Sequence, residues 1–278
     1  MTDHWTPATV ALALLLTVAA ALATCESLLC TRGHRLLRGR KYKLGTLVSL
    51  LLVALSACSS GRAVNPNEAR GLAGSNEAMK VRQQEEKRLR DVAQAYTHDM
   101  PLTLALITVS DTCKVGLKNQ PFFQSGDDTY KIKCSMGVTA YYGADPKHMG
   151  DILDSILSAG DRPGSPIAFR HGQNPNPLVD YYRGRGPNPS GSQAPEPTQL
   201  SDPSQTLSWD PVRDHTPRLM IEEPEPCMPS DPPVTRCLRE PSSATVAGIR
   251  KQYGMVFKLS LGSGDYYKVF KSGQTSTK

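Results

Sequence analysis

A short apolar run limits where a folded domain can begin. Residues 44–57 carry no charge and follow Arg38-Gly39-Arg40-Lys41-Tyr42-Lys43, a compact basic stretch. At 14 residues the run falls short of the roughly 20 needed to span a bilayer. A cationic segment, an apolar core over residues 47–54 and small residues at its end make the layout of a secretory signal, which is cut from the mature chain. The globular fold is therefore expected after residue 57, outside the cytoplasm.

A second uncharged run covers residues 7–24, and its 18 residues are long enough to be a transmembrane candidate. Six basic residues between Arg32 and Lys43 separate the two runs and would stay cytoplasmic. A helical hairpin with both ends outside is one reading. The other is that synthesis starts near Leu36 or Leu37 and the earlier residues are an artefact. Either way residues 1–57 form a leader, with one possible transmembrane segment and an export signal.

The run closes on Leu55-Ser56-Ala57-Cys58, followed by the polar Ser59-Ser60-Gly61. These four residues resemble the lipobox of bacterial lipoproteins. The resemblance implies that Cys58 is lipidated on its sulfur, with palmitate-type acyl chains, and becomes the new N-terminus. Together with the alanine- and arginine-rich leader, the chain resembles an actinobacterial-type membrane lipoprotein. That implies a location on the extracytoplasmic face of the cell membrane, held there by the lipid anchor.

Charge follows the same division. The chain is +6 overall, but the leader holds six Lys/Arg against two acids, so only +2 remains after it. Lys80, Arg82, Lys87, Arg88 and Arg90 alternate with Glu77, Glu85, Glu86 and Asp91, the pattern of a solvated, salt-bridged helix face. The basicity serves targeting, and nucleic acid is excluded as a partner.

Four cysteines follow Cys58: Cys113, Cys134, Cys227 and Cys237. An even number outside the cytoplasm reads as disulfides. Pairing Cys113 with Cys134 and Cys227 with Cys237 closes two short, turn-rich loops, each worth about 3 kcal/mol in the chain-entropy model. With no Cys-x-x-Cys spacing and no neighbouring histidine, a zinc site is disfavoured.

The pattern predicts an α+β fold, a small mixed or antiparallel sheet with flanking helices. Residues 58–74 read as a flexible tether and 75–278 as the domain. Ser75 opens a helix running to about Tyr96, with Met79, Leu89, Val92, Ala93 and Tyr96 as its apolar stripe and a first half projecting into solvent. Residues 102–109 and 114–117 suggest strands, and Gly126-Asp127-Asp128 a turn. Tyr130, Ile132, Cys134, Met136, Val138 and Ala140 then alternate along a half-buried strand. A helix capped by Asp145 and stopped by Gly160 follows, with Met149, Ile152, Leu153, Ile156 and Leu157 facing a core. Residues 167–170 suggest another strand. Residues 184–218, with seven prolines, read as a surface loop from which only Trp209 docks. Ser242 or Ser243 is expected to cap a helix ending at Gly254, and a terminal hairpin turns at Gly262-Ser263-Gly264.

Chemistry is sparse in the sequence. His98, His148, His171 and His215 stand alone, outside any metal-binding spacing, and no Gly-x-Ser-x-Gly elbow occurs. Glu222, Glu223 and Glu225 sit among prolines and read as solvated. No catalytic residue, metal or cofactor is expected. The pairs Tyr141-Tyr142, Tyr181-Tyr182 and Tyr266-Tyr267 would each send one ring outward if on strands, making Tyr142, Tyr182 and Tyr267 candidate ligand-binding residues. Ordinary strand packing is the competing account. Two functions remain: a non-catalytic envelope protein binding a protein or cell-wall partner, or a small hydrolase or peptidase whose site assembles only in space.

Overall fold

The computed structural model describes residues 64–116, 129–173, 176–213, 219–227 and 234–277. Both apolar runs of the leader, Cys58, His215 and the turn expected at residues 126–128 lie outside these. Among the described residues no helix is long and apolar enough to cross a membrane. Residues 60–278 form one compact unit, and the fold is α+β.

The chain enters through α1 (Pro66–Ala73), capped by the Asn65 side chain. The expected tether is thus helical over half its length, because Ala69 and Ala73 have a sheet to pack on. Helix α2 (Asn76–Ala95) starts at Ser75, whose Oγ accepts from the Ala78 amide. Its first half does not project into solvent. Ala78 and Glu85 are buried, and Arg82 reaches a carboxylate under the helix, whereas Met79, expected in the apolar stripe, is 45% exposed.

Strands β1 (Thr103–Val115) and β2 (Tyr130–Ala144) pair antiparallel, and Cys113 stands directly opposite Cys134. The two strands expected at residues 102–109 and 114–117 are one, since pairing with β2 continues through the polar stretch between them. Alternation along β2 is as expected: Ile132, Cys134, Met136, Val138 and Ala140 are all buried beneath the helices.

Asp145 caps a short 3-10 turn at Pro146–His148, which leads into α3 (Met149–Asp161). Ile152, Leu153, Ile156 and Leu157 are fully covered, each worth about 1.5–3 kcal/mol of burial. Gly160 does not stop this helix but lies inside it. Its role is close approach: a Cβ there would sit 1.8 Å from the Phe169 carbonyl oxygen. The segment after α3 therefore runs back across the helix, and residues 167–170 are irregular, with Ile167 and Phe169 buried.

Helix α4 (Asn176–Tyr182) follows. The proline-rich stretch then contributes two strands, β3 (Gln199–Asp202) and β4 (Gln205–Trp209), so residues 184–218 are not simply a loop. Strand β5 is Val234–Glu240, and α5 (Val246–Tyr253) is capped by Thr245, not by a serine, because Thr245 Oγ1 accepts from the Gly248 amide. Gly254, at φ 103°, ends it. The expected terminal hairpin is a single strand, β6 (Met255–Phe270), which pairs with β2 along its length. Register shifts opposite Ser135 absorb the glycines that had suggested a turn. Strand β7 (Thr275–Thr277) pairs back onto β6.

The described sheet has seven strands in the order β3-β4-β6-β2-β1-β5, with β7 beside β6. One face carries the main core beneath α1 to α4. The other carries a small cluster at one end, where Val246 and Ile249 of α5 cover Leu106, Tyr141 and Val256.

Gly160→Ala makes a direct test, because helix propensity favours alanine by about 1 kcal/mol. The clash with the Phe169 carbonyl outweighs that preference. We expect net destabilisation of about 1–3 kcal/mol in urea unfolding, and a stabilised variant would show that the chain does not cross α3 here.

Candidate functional site

The predicted residues meet different fates. Both disulfides are formed, Cys113–Cys134 and Cys227–Cys237. Cys58 lies outside the described residues. The tyrosine surface is not there. Tyr142 is fully buried on the helix-covered face and donates to the Ala93 carbonyl at 2.7 Å. Its neighbour Tyr141 does point to the other face, but α5 covers it. The register shifts in β6 put Tyr266 and Tyr267 both in the main core. Tyr181 and Tyr182 lie on a helix, where the half-buried Tyr182 donates to the Pro197 carbonyl and accepts from Trp209 Nε1. Strand alternation thus holds only where both rings sit on one regular strand, and even there a helix closes the second face.

What the sheet leaves open is the uncovered part of its outer face. Strand register brings distant residues into rows there. Arg239, Thr108, Thr139, Ser260 and Thr206 lie side by side across five strands. The next row is Cys237, Ser110, Gly137 and Gly262, and the third is Thr235, Thr112, Ser135 and Asp265. Ser110 and Gly262 are exposed; Thr108, Thr112, Ser135, Gly137, Thr139, Ser260 and Thr206 are half-buried. The glycine pair removes side chains from the middle of the second row. The result is a shelf of hydroxyls able to bond an extended polar ligand.

The end row is charged. Lys114 stands opposite Lys133, and Lys133 opposite Lys268. Neighbouring strands are about 4.8 Å apart, so three ammonium groups share a narrow line. Lys268 pairs with Asp265 at 3.0 Å, and the Lys133 and Lys268 ammonium groups lie 4.9 and 5.8 Å from the Tyr130 ring centre. Aligned like charges are unfavourable unless something negative approaches. These lysines were not singled out in the sequence. The signal was available, since a bond between Cys113 and Cys134 on paired strands places Lys114 against Lys133.

Two borders frame the open face. Besides α5, residues 221–227 cross over β5, tied by the Cys227–Cys237 bond and by Glu223, which accepts from Arg239 at 3.1 Å and from the Ala247 amide at 3.0 Å. Glu223 is therefore engaged and not merely solvated.

The histidines sit elsewhere. His98 lines a cleft of about 420 Å3 where Arg162 faces Asp99 at 3.6 Å. His171 is the most engaged: Nδ1 lies 2.6 Å from Asp161 Oδ2, and Nε2 lies 3.1 Å from Asp154 Oδ1. Arg183, the residue after α4, bonds Asp154 and Asp151. The Asp161 bond, with Asp154, raises the His171 pKa, and His171 in turn lowers that of Asp161. Burial of Asp154 favours its neutral form, but bonds from His171 and Arg183 outweigh that and hold its carboxyl low. The cluster ties the crossing segment and α4 to α3. Among the described residues no group of three His, Cys, Asp or Glu could hold a metal ion.

The sign of the pH effect follows. A histidine whose folded pKa is raised stabilises fully below its ordinary value near 6.5, and the contribution is lost as pH climbs through the folded value. The melting-temperature gap between the native protein and His171→Gln should be largest near pH 5.5 and shrink by pH 8.5. A gap independent of pH would show that His171 is not charged in the folded state.

No protein-family model, no curated protein and no solved structure matches this chain.

Proposed function

We propose that this chain is a lipid-anchored protein of the extracytoplasmic envelope, held by Cys58, with a non-catalytic binding role exercised through the open sheet face. The observation that carries the reading is the pair of disulfides, one in the core and one on the outer face. Such bonds persist outside the cytoplasm and are rare inside it. The export layout of residues 38–58 supports the same compartment.

The binding role takes its support from the composition of the outer face. Antiparallel sheets commonly leave one face solvated, and here three rows of that face are mostly Ser, Thr and Gly, with Arg239 and Asp265 among them. A polar, extended partner such as a cell-wall polymer or a protein strand fits such a shelf, bonding to hydroxyls along the rows.

Two experiments test this. In Cys58→Ala, fatty-acid labelling and detergent-phase partitioning should both disappear, because the two or three acyl chains that would hold the protein are lost. Unchanged labelling would refute the anchor. Thr139→Glu with Ser260→Glu changes two half-buried positions and should shift stability by less than about 1 kcal/mol. Recovery of an envelope partner by cross-linking should fall at least severalfold. Retained recovery would move the binding surface elsewhere, and turnover of peptide, ester or peptidoglycan by the purified protein, lost on changing one His or Ser, would favour the hydrolase.

A further inference from the structure

We infer that the cleft between the ends of α2 and α3 is a binding site separate from the outer face, and that it takes a small apolar α-amino acid as its zwitterion. The cleft holds about 420 Å3, within the range of about 300–1,000 Å3 usual for small-ligand pockets. Both helices run into it with their C-terminal ends, α2 at Ala95 and α3 just before Arg162. The negative ends of two helix dipoles therefore meet there and favour an ammonium group. Asp99 adds a full negative charge beside them. Its backbone is left-handed at φ 57°, the one positive φ outside glycine among the described residues, and the change of direction after α2 sets its carboxylate 3.6 Å from Arg162.

The groups for a carboxylate stand next to it. Arg162-Pro163-Gly164-Ser165 is a turn closed by the Ser165 amide donating to the Arg162 carbonyl at 3.1 Å, with Gly164 at φ 74°. Pro second and Gly third are the residues such a turn demands, and it brings Arg162 and Ser165 together. Ser165 Oγ accepts from the Ile167 amide at 3.2 Å, which leaves its proton to donate. Arg162 and Asp99 are 58% and 80% exposed, and 3.6 Å is too long for a hydrogen bond, so neither is locked to the other. Ala159 and Ile167 are buried and give the cleft an apolar floor. An α-amino acid carries its ammonium and carboxylate one carbon apart. It can lie antiparallel to the Asp99–Arg162 pair with each charge beside its opposite and its side chain on that floor. The termini of a dipeptide are too far apart to meet both.

The test is calorimetric titration of the full chain in detergent micelles, with L-leucine as the probe. L-leucine should give saturable heat. N-acetyl-L-leucine, L-leucinamide and L-leucyl-glycine should bind at least tenfold more weakly, since each loses a charge-assisted bond. Arg162→Gln and Asp99→Asn should each weaken L-leucine at least tenfold while the urea midpoint holds, because both side chains are exposed and Asn keeps the left-handed backbone. Thr139→Glu with Ser260→Glu should bind L-leucine as the native protein does, so failure of the outer-face reading and failure of this one are told apart. Absence of saturable binding overturns the proposal. So does equal affinity for N-acetyl-L-leucine, which would leave a bare anion site, for L-leucyl-glycine, which would make a peptide end the ligand, or for L-leucine in both single variants, which would move the binding elsewhere.

Discussion

A buried carboxylate organises the main core. Asp111 is fully covered on the inner face of β1, and it accepts from Arg82 Nε at 2.6 Å and from the Tyr266 hydroxyl at 2.7 Å. Arg82 also reaches the Ala73 carbonyl and lies 3.6 Å from Cys113 Sγ. Helices α1 and α2 and strands β1 and β6 therefore meet at one charge. Burying such a pair is expensive, and the pair is tolerated because each partner keeps several bonds. Removing one partner would leave the other uncompensated in the core, at a cost of about 3–5 kcal/mol. This is why the polar first half of α2 lies down on the sheet. The disulfide beside it is then sealed from water.

That same corner sets the register on which the outer face depends. A bond between directly opposed cysteines admits one alignment of β1 against β2. Because side chains alternate, the alignment that buries Cys113 and Cys134 turns Lys114 and Lys133 outward together. Beyond Ser135 the register of β6 shifts, and its aromatics change sides: Tyr266 reaches Asp111 and Tyr267 reaches Ser75. The shift removes the tyrosines from the surface and leaves Asp265 and Gly262 there.

Elements with strong apolar periodicity were legible in the sequence: β2, the second half of α2, and α3. So were both disulfides, from parity and loop length. The proline-rich stretch was not, because polar groups hold it. Glu196, 2% exposed, accepts from the Val212 and Arg213 amides, and Asp210, equally buried, accepts from Arg250 and from the Ile221 and Val256 amides. No hydrophobic pattern reports such anchors. Gly262 and Gly264 misled for a related reason: glycine signals a turn locally, but pairing with β2 on one side and with β4 up to Leu261 carries the strand through. The tyrosines misled for separate reasons: the eight-residue α5 covers Tyr141, the β6 register shifts turn Tyr266 and Tyr267 both inward, and Tyr181 and Tyr182 lie on a helix.

The shortness of α5 also explains why an open face exists at all. Covering the outer side of the β1-β2-β6 ladder would take a helix as long as α2, and α5 ends after two turns at Gly254. The strap at residues 221–227 is tied to β5 by Cys227–Cys237, and its Ile221 packs on the same small cluster as α5. Across the remaining rows the face offers hydroxyls, backbone-level glycines and, at one end, lysines. A face of that kind has little apolar area to drive tight docking. It gains from many weak polar bonds in register.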